Sequence, residues 1–280
     1  MKICIYGAGA IGAHLGGYLA RTDAEVSLVA RGPHMEAMKR NGLRVITADE
    51  EFTVRPTVTD DPASLGPQDY VIVTLKAHQS PGVVELMQPL LGSETAVVTA
   101  MNGVPWWYFH GLDGDWDTSP IESVDPNGAQ WRGIGPQRAI GSVVYVASEI
   151  IEPGVCKHFD GDSYPLGEPD GTRSERVQAL SRKIIESGLR APVRTRIRDD
   201  IWMKLWGNLS FNPVSALTCA TLGEIGNDPG TREVIRHMME EGQAIGEKLG
   251  ARFKIKLERR IFGCPSRRTS VGVGEDNRCV

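Results

Sequence analysis

The chain begins MKICIYGAGAIG, and the six residues from Gly7 to Gly12 constrain its fold more than any other stretch. A β-rich run, KICIY, stops at Gly7, helix-compatible AIGAHLGGYLAR follows, and a second β-rich run, EVSLVAR, comes next. That order is a βαβ unit. Within it the spacing G-x-G-x-x-G gives each glycine a separate task. Gly7 permits a tight turn, Gly9 lets the backbone approach a pyrophosphate, and Gly12 allows the helix to sit close on the sheet, with the helix N-terminus facing the anion. The reading therefore assigns Gly7, Ala8, Gly9, Ala10, Ile11 and Gly12 to a dinucleotide. The competing view is that the glycines serve only the turn.

Further strands are expected at DYVIVTL (69 to 75) and TAVVTAMNG (95 to 103), with a helix over PGVVELMQPLLG between them. Alternation of this kind predicts an α/β fold, a Rossmann-like doubly wound sheet covered on both faces. From residue 139 to 171 the pattern becomes strands with turn signals, expected to extend the same sheet in antiparallel fashion. RSERVQALSRKIIESG reads as a helix, RAPVRT as a last strand, and 113–137 as a long surface loop. Beyond about residue 197 the pattern is helical, over 199–218 and 229–249. The chain thus divides into an N-terminal dinucleotide-binding domain, 1–196, and a C-terminal all-helical substrate domain, 197–280. Within the latter, 263–280 forms a truncated or atypical end.

Composition removes other classes. Hydrophobic residues at 41% and charged residues at 24% fit a globular protein with a large core, and a net charge of -4 leaves no basic excess for nucleic acid. No apolar run approaches the ~20 residues needed to span a bilayer, and the opening residues lack a cleavable-signal layout. No membrane partner is expected, and the default location is cytoplasmic. The cysteines at 4, 156, 219, 264 and 279 form no CxxC pair and the histidines no HExxH, so no metal site is expected.

The second strand of a βαβ unit that binds NAD ends in an acid that meets the ribose hydroxyl. This one ends LVAR at Arg31, and Glu25 lies at its wrong end. A guanidinium there suits a 2′-phosphate, which favours NADP (NADPH), although a solvated strand-end arginine would look the same. Lys76 in VTLK and Asn102 in AMNG follow the next strands, at the edge where ligands of such sheets bind. Chain emerging into water would explain them as well on spacing alone, and the fold context raises them above that level.

In KLWGNLSFNPVSALT, Lys204, Asn208 and Asn212 recur every four residues and so share one helix face, while Trp202, Trp206 and Leu209 fall mainly on another. Pro213 is expected to kink the helix beside Asn212. The row is either a solvated polar stripe or a substrate surface. Beside a reducing cofactor, Lys204 would be the catalytic proton donor to a developing alkoxide, with Asn208 and Asn212 orienting the substrate.

GAGAIG, VTLKAHQ, MNG and WMKLWGNLSFNPVSALT together resemble the ketopantoate reductase (2-dehydropantoate 2-reductase) family over about residues 1–260. The resemblance implies NADPH-dependent reduction of 2-dehydropantoate to pantoate, in pantothenate and coenzyme A synthesis. It also implies a small 2-oxoacid as partner, Lys204 as catalytic lysine, and Asn208, Asn212 and Asn102 at the substrate. Lys76 and Asn102 then line the cleft of the first domain and Arg31 meets the cofactor phosphate. Where the family carries a substrate-holding glutamate in further helices, this chain reads FGCPSRRTSVGVGEDNRCV. That departure keeps two alternatives open, a catalytically silent NADP-binding relative and a reductase of another small 2-oxoacid. Apolar surface left on an incomplete helical domain would favour self-association, a homodimer being its simplest form.

Overall fold

The structure, a computed structural model, describes residues 1–112, 116 and 120–262. The chain forms two compact units, Met1–Ile197 and the residues from Arg198 onward. In the first, β1 (Lys2–Tyr6), α1 (Ala10–Leu19) and β2 (Glu25–Val29) build the opening βαβ unit. There follow α2 (Gly32–Asn41), β3 (Leu43–Ile46), β4 (Glu51–Val54), β5 (Thr57–Thr59), β6 (Gln68–Val73), α3 (Val84–Met87) and β7 (Leu91–Ala100). Next come α4 (Ala129–Gly133), β8 (Ala139–Ser142), β9 (Tyr145–Glu152), β10 (Val155–Ser163), β11 (Leu166–Gly167) and α5 (Glu175–Glu186).

Two sheets result. The first has the order β11-β8-β7-β6-β1-β2-β5, parallel throughout except for β11. Its central strands are apolar on both faces. Ile3, Ile5, Tyr70, Ile72, Ala96 and Val98 enter the core shared with α1 and α5, and the intervening Cys4, Val71, Val73 and Val97 are equally buried on the other side. Covering both faces of a parallel sheet in this way is what makes its strands read as unbroken hydrophobic runs. Strand order reverses at β1, so the carboxyl ends of β1 and β6 flank the switch point where such sheets bind ligands.

The second sheet corrects the expectation for 139–171. β8 joins the main sheet parallel to β7, but β9 and β10 leave it and pair with β3 and β4 in the order β4-β3-β10-β9. The β9–β10 hairpin, turning at Gly154 (φ 85°), has one face in contact with α1 and the other in solvent, and β-propensity alone does not say which element a strand will pair with. The run at 190–195 makes only isolated bridges, at Arg190 and Val193, instead of a strand. The helix expected over PGVVELMQPLLG shrinks to Val84–Met87 between 3-10 turns, because Pro89 denies it a backbone donor. Within the expected loop 113–137, Asp125 is buried and accepts from the backbone N–H groups of Gln130 (2.8 Å) and Trp131 (2.9 Å), which starts α4.

Helix α1 lies between the two sheets, and its small residues set the spacing. A methyl at Gly16 would stand 2.5 Å from Leu28 of the first sheet, and one at Gly17 would stand 2.6 Å from Val45 of the second. His14, fully buried beside them, bonds the Tyr164 hydroxyl through Nδ1 at 2.9 Å and packs on the His158 ring at 4.8 Å. Burial, helped by His158, pushes its pKa down to about 3, so it serves as a neutral aromatic of the core.

The second unit is helical: α6 (Ile197–Thr218, starting at the boundary), α7 (Leu222–Asn227), α8 (Pro229–Lys248) and α9 (Leu257–Phe262). Asp228 caps α8 by accepting from Thr231 N–H at 2.8 Å, and Thr221 with Glu224 forms a capping box on α7. α6 runs through Pro213 as one helix. Trp202 and Leu209 lie against Gly246 and Gly242 of α8, whose lack of side chains lets the helices approach closely. Trp206 is fully buried, donates from Nε1 to the Met239 carbonyl at 2.7 Å, and packs on the Phe253 ring at 4.9 Å. The departure expected at 263–280 lies outside the described residues.

Because Trp206 joins apolar burial to a satisfied indole N–H, Trp206→Ala should destabilise the helical unit by about 3 to 5 kcal/mol. The shift of its urea midpoint, followed by far-ultraviolet circular dichroism, measures this, and an unmoved midpoint would contradict it.

Candidate active site

The turn from Gly7 to Gly12 leaves β1 and enters α1, and backbone contacts fix its shape. Gly7 (φ 104°) and Ala8 both donate from N–H to the Val29 carbonyl at 3.0 Å. Thr74, at the end of β6, donates from its hydroxyl to the Gly7 carbonyl at 2.6 Å. Gly9 stands at the helix N-cap, where no side chain satisfies the first-turn amides, so those of Ala10, Ile11 and Gly12 remain available to an anion. The three glycines differ in surroundings. A methyl on Gly7 would stand 2.6 Å from Leu75, and one on Gly12 would stand 2.4 Å from the Gly7 carbonyl oxygen and 2.6 Å from the Thr74 hydroxyl. At Gly9 nothing lies within 4 Å, which leaves an open approach to the backbone as a pyrophosphate needs.

Topology brings the other first-unit candidates to the same sheet edge. Asn102 follows β7, Lys76 follows β6, the glycine turn follows β1, and Arg31 follows β2; these four strands are consecutive neighbours. At ~4.8 Å between strands, the row spans about 14 Å. Arg31, Lys76 and Asn102 are all exposed. Arg31 is the extended N-cap of α2 (φ -144°, ψ 164°), and no side chain caps that helix. Asn102 is steadied from behind, since Trp106, Trp107 and Tyr108 are buried just after it and the Trp107 indole donates to Thr99 at 2.9 Å.

In the second unit, α6 presents Lys204, Asn208 and Asn212 along one face, all half-buried, while Trp202 and Trp206 are buried. The Lys204 ammonium is pushed down to about 8, first by burial and second by the nearby positive charge of Arg260. An amine titrating there is protonated at neutral pH yet far more acidic than an ordinary lysine, as a proton donor should be.

Three residues escaped the sequence reading. Thr74 sits two residues before Lys76, where a hydroxyl at a strand end could have been suspected of holding the turn. His34, at the start of α2, accepts from the Gly154 N–H at 2.9 Å and ties that helix to the second sheet; no local pattern points to it. Arg260 sits on the flank of α9, and the doubled arginine of LERRI offered no signal that separates it from Arg259.

Comparison with known proteins shows the family of the chain. The family model described as ketopantoate reductase PanE/ApbA matches residues 3–106, and its C-terminal companion matches residues 196–270. A 2-dehydropantoate 2-reductase of Mesorhizobium japonicum is 54% identical over 266 residues, covering 94% of this chain and 81% of the relative. A crystal structure from Ralstonia solanacearum assigned to the ketopantoate reductases superposes with a TM-score of 0.89 at 38% identity, over 93% of this chain and 81% of the other. A PanE/ApbA family ketopantoate reductase from Ralstonia eutropha gives a TM-score of 0.78 at 27% identity, over 94% and 79% of the two chains.

The glycine surroundings generate a pair of expectations. Gly12→Ala should destabilise by about 1 to 3 kcal/mol, because the clash is with backbone that cannot yield. Gly9→Ala, in open space at an ordinary φ of -73°, should stay within about 0.5 kcal/mol of the parent. Chemical denaturation of both variants measures the difference, and equal losses would contradict it.

Proposed function

Since the chain belongs to the ketopantoate reductase family, we propose that it reduces 2-dehydropantoate to pantoate with NADPH, the step that supplies pantothenate and coenzyme A synthesis. The observation that carries the chemistry is the row on α6, a half-buried lysine of lowered pKa in line with two amides. The 54% identity to a 2-dehydropantoate 2-reductase supports the choice of substrate.

In this reading the first unit binds the dinucleotide and the second the 2-oxoacid. The open face of Gly9 and the first-turn amides of Ala10, Ile11 and Gly12 take the pyrophosphate, and Gly7 and Ala8 hold the turn in shape. Arg31, with the α2 N-terminus, takes the 2′-phosphate, and Lys76 and Asn102 complete the cofactor edge, Asn102 also reaching the substrate. When bound, the cofactor supplies hydride to the carbonyl carbon. Negative charge then develops on the carbonyl oxygen, and Lys204 Nζ gives that oxygen a proton, so that the ketone becomes a hydroxyl and the lysine a neutral amine. Asn208 and Asn212 donate amide hydrogen bonds that fix the substrate before reaction. Burial of Lys204 helps twice, by acidifying the ammonium and by strengthening its field on the alkoxide.

The sign of the pH dependence follows. Reduction needs the protonated lysine, so kcat/KM for reduction should fall as pH rises through about 8, whereas pantoate oxidation should rise over the same interval. Lys204→Ala should lower kcat and kcat/KM together by ~100-fold to 10,000-fold and abolish that limb, while NADPH affinity holds. Steady-state kinetics on a variant shown to be folded tests this. Near-parental turnover would return the row to a plain polar face.

Arg31→Ala should weaken NADPH by roughly 10-fold to 100-fold, the worth of a charge-assisted contact, and change NADH binding about threefold or less. Calorimetric titration of both cofactors measures it. Equal losses would mean that Arg31 does not read the 2′-phosphate.

A further inference from the structure

Arg260 lies outside the α6 row, and the packing of α9 sets where it stands. Leu257 and Ile261, four residues apart on α9, turn into the core around Trp206, Phe211 and Met239, with Ile261 fully buried. Glu258 pairs with Arg236 of α8, a second attachment for a helix of six residues. Arg260 is thereby set on the flank of α9 that meets α6.

There it lies over Gly207. A methyl on Gly207 would stand 3.0 Å from Arg260 Nη2 and 3.9 Å from its Nε and Cζ, so the guanidinium rests where a side chain would otherwise project. Glycine inside an α-helix costs about 1 kcal/mol relative to alanine, and here its absence of a side chain gives the guanidinium its seat. Gly207 follows Lys204 by three residues and Asn208 follows it by four, so both are surface neighbours of the lysine on the next turn. Lys204 is thus flanked by an amide on one side and a guanidinium on the other. Among the described residues none accepts a hydrogen bond from the Arg260 guanidinium, and the residue is exposed. The charge of Arg260 acts unfavourably on the Lys204 ammonium, and an anion placed between the two cations relieves that repulsion.

We propose that Arg260 is the carboxylate anchor of the 2-oxoacid site, gripping the acid group bonded to the ketone that Lys204 protonates. The proposal rests on the reading of Lys204 as proton donor. In a 2-oxoacid the carboxylate and the reacting carbonyl share one carbon–carbon bond, so the groups that recognise them must also be neighbours, as Arg260 and Lys204 are. The planar guanidinium fork binds both oxygens of a carboxylate at once and so fixes rotation about that bond, turning the ketone oxygen toward Lys204. A ketone without a free acid offers the fork nothing.

The test uses the full chain with NADP+ present, so that binding is measured without turnover. 2-Dehydropantoate and its lactone, which keeps the ketone and lacks the free carboxylate, are titrated calorimetrically into the parent, Arg260→Gln and Arg260→Lys. The acid should bind roughly 30-fold more weakly to Arg260→Gln and about 10-fold more weakly to Arg260→Lys, which keeps charge but loses the fork. The lactone should change about threefold or less, and cofactor affinity not at all. If Arg260→Gln loses helix content, the Lys variant decides alone. An unchanged affinity for the acid, equal losses for acid and lactone, or no binding of the acid by the parent would each overturn the proposal. Failure of the reductase reading would look different: the parent would bind the acid through Arg260 and yet leave NADPH unoxidised.

Discussion

The close approach of α1 to the ends of β1 and β6 is the contact on which the first unit depends. Gly12 fits beneath the Gly7 carbonyl only because it has no side chain, and the Thr74 hydroxyl closes the gap by donating to that same carbonyl at 2.6 Å. Hydrogen bonding of the turn to Thr74 on one side and to Val29 on the other removes its freedom. The helix N-terminus is therefore aimed before any anion arrives, and such preorganisation lowers the entropy lost on binding. The glycines farther along α1 extend the same logic to its two packing faces. One helix thus sets the distance between the sheets and the direction in which its own N-terminus points.

The second unit solves a related problem with the same residue type. α6 must bury tryptophan on one face and keep a lysine half-dry on another, and a helix can do both only if its neighbours come close on the apolar side. Gly242 and Gly246 of α8 allow this by accepting Leu209 and Trp202. On the polar face, burial leads the causes of the lowered Lys204 pKa, with the charge of Arg260 second.

Much of this was legible in the sequence, for reasons that can be stated. The βαβ opening carries backbone rules that only glycine satisfies, so strand, turn and helix declared themselves together. The α6 row was legible because a spacing of four means one face whatever the helix packs against. The second sheet was not, since β3 pairs with β10 across more than a hundred residues and nothing in either segment names its partner. Nor could the site's charges be weighed. Arg260 is one arginine of the pair in LERRI, and only Ile261 entering the core distinguishes it from Arg259. For the helix that shrank to Val84–Met87, apolar composition outvoted Pro89 in the reading, whereas the missing donor prevailed in the chain.

The parallel pairing of β3 with β10 bears on how the chain is made. Synthesis proceeds from the N-terminus, so α1 and the first three strands leave the ribosome more than a hundred residues before Val155–Lys157 exist to pair with Arg44–Ile46. Until then the helix has a partner on one side only, and the face bearing His14, Gly17 and Tyr18 is open to water and to other nascent chains. Non-local closure of this kind is slow, because a long loop must be ordered before any contact rewards it. The stretch that shapes the glycine turn is consequently among the first parts of the protein to be synthesised and among the last to be enclosed. Chaperones would meet this chain with that half-covered helix exposed.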